Sequence, residues 1–253
     1  MSEYGFSEKE LSEFVLGCSL EDIHSNVVIA PCWEPQSVDI KLMKRISQKR
    51  NVWNGEVEGI EFTYILSGVG AGINADVVSA LGATKCNKLL FLGSAGAIRS
   101  DINIGDIVIP NCLVCGDGAC RYLQEDLHKD VFGEKIFINT DSNRRIVLRA
   151  ELLAKKNGVK CWPNVTAISV ESLFSQFNFF EVFREYNCGC VDMESTVVVK
   201  AAKRNNIESN VCFVISDNAI QKKSLISVSD SCTWFRKSIR KKAITEIIKV
   251  AFA

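Results

Sequence analysis

Apolar positions along the chain switch repeatedly between helical and strand spacing. Leu11, Phe14 and Val15 mark one side of a short amphipathic helix over residues 7–17. Asn26–Ala30 is a continuous apolar run stopped by Pro31, the pattern of a buried strand. Residues 37–49 carry helical spacing, and Ile60–Leu66 is the next strand. Ser67–Gly72 is a glycine-rich turn opening a helical run over Ile73–Leu81. Asn87–Leu92 is a wholly apolar strand followed by a small-residue turn, Gly93–Ala97, and Asp106–Pro110 is another strand. Helical period returns over 142–157 and 193–205, separated by a strand at Val165–Val170 and a short aromatic-rich helix around 176–186. Val211–Ile215 is a late buried strand. A closing helix over 231–251 places its basic residues on the exposed side. Strands alternating with helices, and apolar throughout, predict an α/β sandwich whose largely parallel or mixed sheet is covered on both faces.

The remaining composition narrows the function. With 47% hydrophobic and 24% charged residues the chain is an ordinary folded protein. No repeat, low-complexity tract or Pro/Gly/Ser-rich linker divides it, so residues 1–253 are expected to form one domain, with 1–25 as an N-terminal helical extension. Thirty basic residues balance thirty acidic ones, which argues against a nucleic-acid or anionic-membrane partner. The opening residues MSEYGFSEKELSEF are polar and acidic, unlike a secretory leader. Apolar runs such as Lys88–Gly93 fall far short of the roughly 20 residues that cross a bilayer. A cytoplasmic location is expected.

Eleven cysteines invite a disulfide or metal interpretation, but the number is odd and the chain is not small. Cys112, Cys115, Cys120, Cys188 and Cys190 could supply thiolates, yet none lies in a turn-rich knuckle and neither histidine sits at ligand spacing. Reduced core cysteines are the expectation, with no metal.

Local constellations carry the chemistry. Gly68-x-Gly70-x-Gly72 lies at a strand's carboxyl end, where α/β folds bind phosphate groups, and Gly70 is its candidate contact; a tight turn alone would also explain the glycines. A nicotinamide-dependent oxidoreductase is disfavoured, because Ile73 stands where a third glycine or alanine belongs and no acidic residue ends the next strand. Ser94, in the second turn, could face an anion, water or sugar hydroxyl. Asp192 and Glu194 enter a helix from an apolar strand, either as helix N-terminal charge or as cleft carboxylates. Ser216-Asp217 ends the run Val211–Ile215, either as a cap or as a functional acid.

In order, SGVGAG, LLFLGSAGAI, INIGDIVI, CVDMEST and FVISDN resemble the superfamily of purine nucleoside phosphorylases, uridine phosphorylases and nucleosidases, over about residues 26–220. The resemblance implies a three-layer α/β/α sandwich with a central mixed, partly barrel-like sheet, assembled as homo-oligomers, dimers or hexamers. It implies cleavage of the N-ribosidic bond of a small-molecule nucleoside without a cofactor, inorganic phosphate being a possible co-substrate. Glu194 then matches the glutamate that grips the ribose hydroxyls, and Met193 the methionine lining the sugar. Asp217 matches the acid facing N7 of a purine, with Ser216 beside it. Ser94 matches the hydroxyl near the attacking nucleophile, and Phe174 the aromatic that stacks on the base.

The departures bear on the nucleophile. Phe91 stands where phosphorylases carry a phosphate-gripping arginine, and a second is missing near Gln36 or Ser37. Arg50 matches a third, contributed across the oligomer interface in some members. Glu34 matches the glutamate that activates water in the hydrolytic members. Gln176 and Arg184 do not reproduce the uracil-reading Gln-x-Arg, which disfavours pyrimidines. The expectation is hydrolytic cleavage of a purine nucleoside. Phosphorolysis, or a nucleoside-binding or storage protein without activity, are the alternatives.

Overall fold

A computed structural model describes residues 4–37, 40, 42–47, 49–223 and 230–253, without the side chains of 42, 230–234 and 242. Helix α1 (Glu8–Leu16) starts at a capping box, in which the Ser7 hydroxyl accepts the Glu10 N–H while the Glu10 carboxylate accepts the Ser7 N–H. Leu16 and Ser12 are its buried positions, whereas Phe14 is 71% exposed. Of the expected face of Leu11, Phe14 and Val15, only Val15 packs against the core; α1 lies on α2 (Ala71–Leu81). Leu16, Leu20 and Ile23 belong to the main core, so this segment is built into the fold.

Strands β1 (Asn26–Ala30) and β4 (Ile60–Leu66) fall where the apolar runs predict them. Between them, the described residues of 37–49 form no α-helix. β2 (Leu42–Arg45) pairs antiparallel with β3 (Val52–Val57), which pairs in turn with β4, and the guanidinium of Arg45 lies over the Trp53 ring. Residues 38, 39, 41 and 48 of that expected helix lie outside the described residues. Cross-strand pairing overrides a helical period carried by so few apolar positions.

The predicted turn at Gly93–Ala97 is strand as well. β5 (Lys88–Ala97) runs through it, parallel to β1 and to β10 (Glu208–Asn218), and its end pairs antiparallel with β9 (Cys188–Asp192). Small residues are needed there for close approach, since a Cβ on Gly96 would stand 3.0 Å from Asp217 Oδ2. The sheet continues through β6 (Ile107–Gly116), β7 (Lys135–Phe137) and β8 (Cys161–Val170). Among the described residues ten strands form one mixed sheet, in which β10, β6, β8, β9 and β5 close on themselves through the β10–β5 pairing.

One apolar cluster packs α1, α2 and α5 (Ser195–Arg204) on one face of the sheet. A second packs α3 (Asp141–Asn157) and α6 (Asp230–Phe252) on the other. This is the three-layer α/β/α arrangement with a partly barrel-like sheet that the sequence predicts. α3 begins at Thr140, whose hydroxyl accepts the Asn143 N–H, and α4 (Phe180–Glu185) is the short aromatic helix. Cys86, Cys112, Cys115, Cys120, Cys188, Cys190 and Cys212 are buried within these layers. Among the described residues no helix is long and apolar enough to cross a membrane, and no three His, Cys, Asp or Glu side chains are grouped to hold a metal ion.

Candidate active site

β9 delivers two acidic residues to the start of α5, and their fates differ. The Asp192 carboxylate turns back on the chain. It accepts the N–H groups of Glu194 and Ser195 at 3.0 and 2.6 Å, and the hydroxyls of Ser169 and Ser195 at 2.7 and 2.9 Å. It is the helix-capping carboxylate. Glu194 makes no cap. Its side chain, 6% exposed, faces a small cavity, where Oε1 accepts the N–H of Gly70 at 2.8 Å. Gly70 can present that N–H because its φ is 123°, a conformation that disfavours any side chain. Burial, reinforced by the Asp192 charge, pushes the Glu194 carboxyl up to about 8, against the opposing pull of the Gly70 and Met193 N–H groups.

From the far side comes β10, whose register with β5 shifts between Ile215 and Asp217. Such a bulge re-aims side chains, and here it brings Ser216 and Asp217 to the cavity wall. Asp217 lies inside the strand and starts no helix, so it is not the cap that a bland interpretation would make it. The Ser216 hydroxyl lies 2.6 Å from Asp217 Oδ1 and 3.2 Å from the Ala95 carbonyl oxygen, and can donate to either. Burial raises the Asp217 carboxyl above the usual range, with the Ser216 bond and then the Arg236 charge opposing it.

The cavity encloses about 150 Å³ and gathers Ser94, Met193, Glu194, Ser216 and Asp217 from three strand ends, with the Gly68–Gly70 turn closing one side. Ser94 Oγ accepts the indole N–H of Trp33 at 3.1 Å.

Three sequence-predicted residues lie elsewhere. Phe174 is 90% exposed and outside the cavity wall. The Ser172 hydroxyl accepts the Ser175 N–H, starting a turn that carries Leu173 and Gln176, three residues apart, to the wall and Phe174 outward. Glu34 and Arg50 line a neighbouring cleft of about 440 Å³ that meets the cavity at Pro31 and Cys32. Trp33 takes the inward place in that segment; Glu34 is left exposed as the chain turns through Pro35–Ser37.

Sequence reasoning missed Trp33, Cys32, Arg236 and Arg240. The two arginines belong to α6, whose basic residues were expected on the solvent side. Instead, both are half-buried: Arg236 donates to the Ser216 carbonyl at 3.1 Å, and Arg240 lies over the Trp33 ring. Their spacing of four, on one helix face, was the available signal.

Residues 30–249 match the family model of the phosphorylase superfamily. The chain belongs to that superfamily. Its fold is similar to that of a uridine phosphorylase from Vibrio fischeri ES114, with a TM-score of 0.73 at 14% identity over 92% of this chain and 94% of that one. It is likewise similar to a purine nucleoside phosphorylase from Toxoplasma gondii in complex with immucillin-H, with a TM-score of 0.72 at 13% identity over 92% and 94% of the two chains. A uridine phosphorylase of the oomycete Phytophthora capsici gives 0.71 at 12% identity over 94% and 95%. No curated protein matches the chain in sequence. At such identities the solved structures establish the phosphorylase-superfamily fold and leave the chemistry to the site.

Proposed function

We propose that this phosphorylase-superfamily chain cleaves the N-ribosidic bond of a purine nucleoside, with water as the acceptor. The observation that carries the proposal is the convergence of Glu194 and Asp217, from two different strand ends, on one small cavity with both carboxyls raised by burial. Breaking the bond builds positive charge on the sugar and negative charge on the departing base. Glu194 meets the ribose hydroxyls and, in its ionised form, stabilises the cation, while Met193 packs against the sugar. Asp217, protonated more readily than a free carboxyl, donates to N7 of the leaving purine, and Ser216 orients it. Leu173 and Gln176 offer the base an apolar surface and an amide; no organic cofactor or metal is called for.

The lack of a cation in the wall favours water. Among the described residues the wall holds Asp192, Glu194 and Asp217 and no lysine or arginine. Phe91, at the position of a phosphate-gripping arginine, is buried against Phe213 with ring centroids 6.1 Å apart. A charge-assisted contact to a dianion contributes about 1.5–3 kcal/mol, so losing two weakens phosphate binding on the order of 100-fold or more. Water reaches the sugar through the neighbouring cleft, where Glu34 can take its proton through an intervening water. Phosphorolysis is the second reading, favoured by Arg50 in the cleft, by Arg236 one contact behind the wall and by Arg240 behind Trp33.

A panel of purine and pyrimidine nucleosides, assayed for free base, tests the proposal. Purine release that falls at least 100-fold in Glu194→Gln is expected, by the magnitude of lost transition-state stabilisation. Binding of nucleosides without release of any base would instead make the chain a binding or storage protein.

A further inference from the structure

We infer that Trp33 is a positioning residue for the reaction, fixing the Ser94 hydroxyl as a donor into the cavity, with Arg240 strengthening its hold. The inference rests on the proposed cleavage activity and adds two residues to it.

Trp33 is 1% exposed and held from three sides. Tyr64 Oη donates to its carbonyl oxygen at 2.7 Å. Its indole N–H donates to Ser94 Oγ at 3.1 Å. The Arg240 guanidinium carbon lies 5.2 Å from the centroid of its ring. A serine hydroxyl has one proton to give and can donate or accept. With the indole N–H occupying one of its two lone pairs, the hydroxyl turns its proton away from the ring, where it is free to be donated. The other nearby group is Cys32, whose thiol is raised by burial and so stays protonated, a weak acceptor. An oxygen entering the cavity, whether of attacking water or of the ribose, is the better partner. Ser94 is thereby set to donate toward the nucleophile's side of the sugar, beside Cys32, where the cleft opens.

Arg240 acts through the ring. A cation over an indole face draws on its π-electrons and makes the N–H a stronger donor. The arginine sits there without a carboxylate partner among the described residues. Among the described residues it makes no ion pair, its Nε is buried with no hydrogen-bond partner, and burial lowers its affinity for a proton. Holding a half-buried guanidinium in this way is costly, and a packing role would be served as well by methionine. A line of influence then runs from Arg240 through Trp33 to Ser94.

The test is a double-mutant cycle on base release with the full chain. Trp33→Phe keeps the ring and deletes the N–H; kcat is expected to fall about 3- to 10-fold, the effect of one neutral hydrogen bond, with KM held within about 2-fold. In a Ser94→Ala background the same change should cost nothing further. Arg240→Met should lower kcat by a few-fold, and this loss should vanish in the Trp33→Phe background. In chain labelled with ¹⁵N-indole, the resonance that Trp33→Phe removes should move in Ser94→Ala and in Arg240→Met. Losses that multiply between Trp33→Phe and Ser94→Ala would overturn the inference. So would an Arg240→Met chain with wild-type kcat and an indole resonance unmoved by Ser94→Ala, even if Trp33→Phe failed to fold. Failure of the underlying activity reads differently: the wild type would release no base, while the indole resonance would still judge the contact.

Discussion

Replacing Glu194 by glutamine should make the protein more stable as the pH rises, while removing its activity. The carboxyl is pushed from 4.5 to about 8 by burial and by Asp192. Between those values the folded chain holds a proton that the unfolded chain has released, so stability falls as pH rises through this window. Each unit corresponds to about 1.4 kcal/mol, which puts the destabilisation on the order of 3 kcal/mol at pH 7 and larger by pH 8. Glutamine removes the titration yet keeps an oxygen to accept the Gly70 N–H. Below about pH 4.5 the two proteins should therefore be alike, and above it the variant should gain. For a chain of this length 1 kcal/mol moves Tm by about 2–4 °C, so a gain of roughly 6–12 °C is expected at pH 7. Asp192 is also raised by burial and contributes with the same sign in both chains. Thermal melts of both proteins from pH 4.5 to 9 provide the assay. A Tm difference that stays flat, or that turns against the variant as pH rises, would refute the reasoning.

Other outcomes follow from the same geometry. Asp217→Asn should selectively slow purine nucleosides whose base leaves only after N7 protonation, by about 100-fold on general-acid grounds, without lowering Tm at neutral pH; wild-type rates on every purine substrate would remove the general-acid role. Cys32, exposed between the cavity and the cleft, should be alkylated well before the buried cysteines, though slowly because burial raises its thiol, and bound nucleoside should protect it; labelling read by peptide mass would fail the idea if nucleoside offered no protection. Phe14 and Phe174, together with Phe177 and Phe179, leave a large aromatic surface uncovered, and light scattering at micromolar concentration should find at least a dimer; a monomer would exclude a site shared through Arg50.

The elements most legible in the sequence were those whose pattern and pairing agree. Asn26–Ala30 and Ile60–Leu66 are strands to the residue, because each is buried through most of its length and bounded by a breaker or a turn. The β2–β3 hairpin was not visible, since its stability lies in pairing with β4 and in contacts such as Arg45 on Trp53. Gly93–Ala97 looked like a turn because glycine signals a bend more often than the close packing of strands that requires it here. Ser94, Glu194, Ser216 and Asp217 were legible as polar residues at the ends of apolar runs, and Met193 through the family resemblance, and the fold gathers them. Phe174 was misplaced because one residue of register in a short turn decides between wall and surface. Glu34 was misplaced because Trp33, its neighbour, fills the inward position. Arg236 and Arg240 escaped notice because a basic helix face is ordinarily solvated, and only the tertiary packing of α6 shows otherwise.

The most direct test of the central claim is turnover in phosphate-free buffer, followed by a phosphate titration, with free base and the sugar product both identified. Purine and free ribose released without phosphate, at a rate that phosphate leaves unchanged, is the predicted result. Turnover that is absent without phosphate, saturates as phosphate is added and yields ribose 1-phosphate would contradict hydrolysis and assign the anion to Arg50 or the α6 arginines.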